Sequence, residues 1–197
     1  GDSDAKADEL ARKIAKLREL FYPDDASLGR QTLRLARQSA NARFGAYREN
    51  ARWLMGGIVF VTLNVPGSNN NLGRNAAMDA EHAARMAANF DWLDAAVRRA
   101  AGRDIRGLVV FAHADPAFGG TAARVDGYAS FREALRAHGV ALAKPMLLVH
   151  GGGGGVDGIL MGGGGRYAPG MGAAGGSAPS GGRPRMPRMV LATSSAF

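Results

Sequence analysis

Several polar side chains directly follow uninterrupted apolar runs: Asn64 after IVFVTL (58–63), His113 and then Asp115 after GLVVFA (107–112), and His150 after PMLLV (145–149). Continuous runs rich in β-branched and aromatic residues suit strands buried on both faces. If three such strands lie side by side and parallel, their tips share one rim, where open α/β sheets gather ligands. Imidazole and carboxylate together suit zinc, manganese or iron, and a pair of such ions polarises a phosphoryl oxygen while supplying hydroxide. The chemistry expected of that rim is hydrolysis of an anion, with His113 and His150 as metal ligands. Asp115 is expected as a ligand or as the acceptor behind one, and Asn64 as hydrogen-bond support. The plainer alternative is that each His caps an exposed carbonyl or faces water.

The loop VPGSNNNLGRN (65–75) leaves the first of these strands. Asn69 and Asn70 are its candidates for touching a phosphate, against the ordinary reading of Asn as a turn former. Two other imidazoles point to no site: His82 is expected to face solvent on its helix, and His138 to sit in a favourable dipole contact near a helix end.

The elements that must position these residues follow from periodicity. Leu10, Ile14, Leu17 and Phe21 repeat at four, three and four, predicting a helix from about residue 4 to Phe21 that Pro23 ends. Residues 24–52 are Arg-rich and weakly patterned, which suggests a loop-dominated excursion. Met86, Phe90, Leu93 and Val97 mark a helix capped by Asp79 and ended near Gly102; Phe131, Leu135 and Leu142 mark another. The order strand, helix, strand, helix, strand predicts an α/β fold of mostly parallel strands joined by crossover helices.

Composition bounds the rest. The 197 residues contain no cysteine, which excludes disulfides, thiolate metal sites and cysteine nucleophiles. With 25 Lys and Arg against 17 Asp and Glu, the net charge of +8 favours anionic partners: phosphorylated small molecules, phosphodiesters or, weakly, nucleic acid. No apolar run is long enough for a membrane span. No signal peptide is visible near GDSDAKADEL, so the cytoplasm is the default expectation. Of the 29 glycines, 16 fall after His150. The expected organisation is therefore a body over residues 1–150 and a Gly-rich, low-complexity, disordered tail over 151–197. Its RPRMPR cluster suits weak phosphate contacts.

The phrases WLMGGIVFVTLNVPGSNNN, AANFDWLDAA, GLVVFAHADPAF and FREAL with KPMLLVHG occur in that order. Over roughly residues 10–151 the chain resembles the second half of a bacterial calcineurin-like metallophosphoesterase. The resemblance implies a four-layer α/β/β/α sandwich and two divalent transition-metal ions (Mn, Fe or Zn) that hydrolyse phosphate mono- or diesters. His113 stands where the family's lone His is expected, one residue further from Pro116 than usual. Asp2 is the only residue transferable to an earlier metal block. After LLVHG, where relatives of this branch continue with acid and His, Gly152, Gly153 and Gly154 offer no side chain. That switch suits a shifted reading frame or a linker-like tail.

Three functions follow as expectations. One is a metal-dependent phosphoesterase, impaired in this chain. Another is a non-catalytic or truncated remnant of that family. The third is a basic polyanion-binding module. Three strands alone would also leave an open sheet edge and an uncovered apolar face, which favours self-association.

Overall fold

The computed structural model describes residues 2–118, 125–152 and 155–161. Helix α1 (Asp2–Phe21) comes first, followed by β1 (Ala36–Arg37), two short 3-10 turns, β2 (Ala51–Met55) and β3 (Ile58–Leu63). A four-residue turn, α2 (Gly67–Asn70), leads to α3 (Ala76–Ala100), β4 (Gly107–Ala112), α4 (Ala129–Leu142), β5 (Met146–Gly152) and β6 (Gly155–Met161). The six strands form one sheet in sequence order. Its centre, β3, β4 and β5, is parallel, as the strand–helix alternation predicts. Antiparallel strands flank that centre on both sides.

The flanks depart from the expected three-strand pattern. Gly56 and Gly57 both take positive φ and close a two-residue hairpin pairing Met55 with Ile58, a conformation that favours glycine. They therefore end one strand and begin the next. The 24–52 excursion, expected as loop, ends by supplying β1 and the start of β2. On the other flank, β5 runs on to Gly152 and pairs with β6, so the sheet crosses the boundary expected at His150. Residues 162–197, the rest of the expected tail, lie outside the described residues.

Period-two alternation gives the sheet two unlike faces. Val59, Val61, Leu63, Leu108, Val110, Ala112, Met146 and Leu148 are buried against Met86, Trp92, Leu93, Ala96, Phe131 and Leu135 of α3 and α4. Fully burying a side chain such as Phe131 or Leu135 contributes about 1.5–3 kcal/mol. On the opposite face, Trp53, Phe60 and Phe111 form a half-buried stack, with centroids 5.2 Å apart for Trp53–Phe60 and 6.4 Å for Phe60–Phe111. The predicted apolar stripe of α1 stays largely in solvent: Ile14, Leu17 and Phe21 are all exposed.

Helix α3 is capped at both ends. Asn75, not Asp79, is its N-cap and accepts from the Met78 amide. At its C-terminal end the Lys144 ammonium donates to the carbonyls of Ala100, Gly102 and Ile105 at 2.6–2.9 Å. A cation there meets the negative end of the helix dipole and fastens α3 to the start of β5. Among the described residues, no helix is long and apolar enough to cross a membrane.

Candidate functional site

The carboxyl ends of β3, β4 and β5 do form one rim. Ala112 pairs with His150, and the Gly151 amide donates to the His113 carbonyl at 3.1 Å, so the ladder continues past β4. Paired residues share a face and successive residues alternate. His150 therefore lies on the helix-covered face, where it is buried, and His113 on the opposite face, where it is exposed. The expected ligands are neighbours along the backbone and separated by the sheet.

His150 comes together with Asp115: its Nδ1 is 3.9 Å from Asp115 Oδ1. That carboxylate accepts from the Ala117 amide at 2.8 Å and stays about half exposed. His113 instead lines a groove of about 630 Å³ on the open face, with Asn64, Tyr22, Glu49, Trp53 and Phe111 among its walls. In that groove Glu49 Oε1 is paired with Arg18, while Oε2 is buried with no hydrogen-bond partner. Burial, and after it the charge of Glu49, raise the Tyr22 phenol above its ordinary pKa, so it remains protonated. An imidazole, a carboxylate and a phenol can bind a polar ligand and hold or move a proton there.

Asp2 opens α1, and its side chain lies outside the described residues. At 1.5 Å per residue, roughly 28 Å of helix separate its backbone from Phe21, which lines the same groove as His113. Among the described residues no group of three or more His, Asp or Glu side chains comes together as a metal site would require. A two-ion centre needs several protein donors around each ion. The donors of the described residues, divided by the sheet, do not fit such a centre.

Asn69 and Asn70 lie in a turn of unusual backbone. Ser68, Asn69, Asn70 and Asn71 all have φ between 54° and 65°, the left-handed region that Asn tolerates better than most residues. Their amides hold this turn against the segment before α4. Asn69 Nδ2 donates to the Leu72 and Val125 carbonyls, and its Oδ1 accepts from the Gly127 amide. Asn70 Nδ2 donates to the Gly127 carbonyl at 2.9 Å. Both side chains expected near substrate are thus engaged within the protein.

A residue overlooked in the sequence organises this region. Arg85, fully buried on α3, donates through Nη1 to Asn70 Oδ1 and to the Asn64 carbonyl, and through Nη2 to the Asn70 carbonyl. Its Nε reaches Glu81 Oε1 at 2.6 Å. His82 is buried too, correcting the expectation that it faces solvent, and its Nδ1–H donates to the Asn70 carbonyl at 2.8 Å. Further along, Asn50 accepts from the Asn64 amide and donates to Gln38 and Asn89. The spacing of Glu81, His82, Arg85 and Asn89 along one helix is the signal that could have revealed this network. His138 sits against Asp94 of α3 at 2.8 Å, an ion-pair geometry in place of the expected dipole contact alone. No protein-family model, no curated protein and no solved structure matches the chain.

Proposed function

We propose that this chain is a phosphoesterase-type α/β domain that recognises phosphate esters and does not hydrolyse them by itself. The resemblance of its strand and loop phrases to calcineurin-like metallophosphoesterases supports the ancestry. A parallel three-strand centre with a polar rim agrees with it. The observation that carries the loss of activity is the separation of His113 from His150 across the sheet. Two imidazoles on opposite faces do not close around one ion, and the Asp115 carboxylate stands 3.9 Å from His150.

The four-layer arrangement belongs to the same proposal. Helices α3 and α4 cover one face; the proposal puts a second sheet layer, or a second copy of this domain, on the other, and the half-buried stack of Trp53, Phe60 and Phe111 there supports it.

The test is elemental analysis after incubation with manganese, together with hydrolysis of an aryl phosphate. The proposal expects less than one tightly held ion per chain and no manganese-dependent turnover above buffer. Two ions per chain, with turnover that His113→Ala and His150→Ala each abolish, would overturn it.

A further inference from the structure

Away from the rim, a second groove of about 490 Å³ lies beside β2, lined by Arg34, Arg52 and Arg99 together with Leu54 and Val59. Arg52 pairs with Val61 across β2 and β3, so it stands on the helix-covered face. Its guanidinium carbon lies 4.5 Å above the ring of Trp92 on α3. Two donors of this stacked pair, Arg52 Nη1 and Trp92 Nε1, are buried with no hydrogen-bond partner. Buried donors are nearly always satisfied in folded proteins, so each calls for a partner that the described residues do not supply; of the two, Arg52 is the one that lines the groove.

The charge around them points the same way. Among the described residues, no carboxylate forms an ion pair with Arg34, Arg52, Arg98 or Arg99. The one acid lining the groove, Asp25, lies 3.7 Å from the Nε of Arg37. Burial first, then the fields of Arg98 and Arg99, lower the pKa of Arg52, so an anion placed between these cations would relieve their mutual repulsion.

We propose that this groove binds the phosphoryl group of a small phosphorylated ligand, held by Arg34, Arg52 and Arg99, with the exposed Leu54 against the ligand's organic part. Guanidinium forks match the tetrahedral oxygens of a phosphoryl group, and its second negative charge engages more than one of them. An apolar wall on a single concave groove suits a compact ligand better than a nucleic-acid backbone, which needs an extended basic track. The inference is independent of the phosphoesterase reading, because the groove uses none of the rim residues.

The protein carries its own reporter. Its two tryptophans are Trp92, beneath Arg52, and Trp53, which follows Arg52 on β2 and carries its ring on the opposite face. The full chain, in chelator and at constant ionic strength, is titrated with inorganic phosphate and with phenyl phosphate while tryptophan emission is followed. A saturable change with one site per chain for both ligands is expected, tighter for phenyl phosphate, whose ring meets Leu54. Arg52→Gln and Arg99→Gln should each weaken binding about tenfold or more, as loss of a hydrogen bond to a charged group does. Arg103→Gln, on an exposed arginine outside the lining, should leave it unchanged. Far-UV circular dichroism of each variant separates lost binding from lost folding. The same response to sodium chloride, unaltered affinity in a folded Arg52→Gln protein, or binding of a single-stranded oligonucleotide without any response to either phosphate, would each overturn the proposal.

Discussion

At the carboxyl rim, Arg85 enters the interior and every direction of its guanidinium meets an acceptor: Glu81, the Asn64 carbonyl, and both oxygens of Asn70. Beside β2, Arg52 also leaves bulk solvent, yet it meets only a ring face and keeps a buried Nη1 without a partner. The two arginines separate two uses of one side chain. A fully paired guanidinium is a structural cross-link, here between α3, the end of β3 and the left-handed turn. An unpaired one among other cations leaves its hydrogen-bonding capacity free for something the chain itself does not supply.

That contrast is sharpest in stability. Arg85→Met strands the buried Asn70 Oδ1 and removes a hydrogen-bonded ion pair, so it should cost about 3–5 kcal/mol. Arg52→Met gives up a cation–π contact but also removes an orphaned donor and a repelled charge, and should change stability by less than about 1 kcal/mol. Urea midpoints of the two variants decide the matter. Equal losses would mean that Arg52 is as structural as Arg85, and the distinction between the two regions would fail.

A second way to break the rim alone uses Gly127. A methyl group at its Cα would overlap the Asn69 carbonyl oxygen, and the neighbouring backbone atoms leave no flexible side chain to yield. Gly127→Ala should therefore cost about 2–3 kcal/mol, an overpacking penalty. It should also prise the 68–71 turn away from the segment before α4 while leaving the β2 groove intact. Amide hydrogen exchange localises the effect: faster exchange is expected at Leu72 and Gly127, and none of the change at Arg52 or Trp53. A loss spread evenly over the sheet would show that the two regions unfold as one.

How much of this was legible depends on which signal each element carries. The parallel centre and the helices α3 and α4 announce themselves, because IVFVTL, GLVVFA and PMLLV are nearly continuous apolar runs and the helices between them keep helical spacings, four-three-four in α3 and four-seven in α4. Strand β2 was readable in principle from Gly56-Gly57 between two apolar segments, the ordinary mark of a tight hairpin. Strand β6 was not, since Gly155–Met161 is glycine-rich and its pairing comes from β5, not from its own propensity. At the site, the rim itself was legible and the division of His113 from His150 was not. It hangs on the register that aligns Ala112 with His150, and a slip of one residue would have put both imidazoles on one face. Sequence spacing says which residues end a strand; only pairing says which way they point.

The smallest effect expected concerns acid. Burial opposes ionisation of Glu81, but hydrogen bonds from Arg85 and Asn71, with the charge of Arg85, outweigh it and hold the carboxyl below its ordinary value. Asp126 is likewise held down, chiefly by its hydrogen bond from Arg132. A carboxyl depressed in the folded state binds its proton more readily when unfolded. Its stabilising contribution is therefore complete above the unfolded pKa, about 4 for these groups, and is lost as pH falls through the lower folded value. Urea midpoints should hold steady from neutral pH down to about pH 5 and decline below about pH 4. Glu81→Gln should flatten part of that acid limb at the rim, whereas Arg52→Met, which touches no carboxylate, should leave its shape unchanged. If the Glu81→Gln protein lost stability with acid as steeply as the parent, the Glu81–Arg85 pair would not be the link between protonation and the rim, and Asp126 with Arg132 would have to carry it.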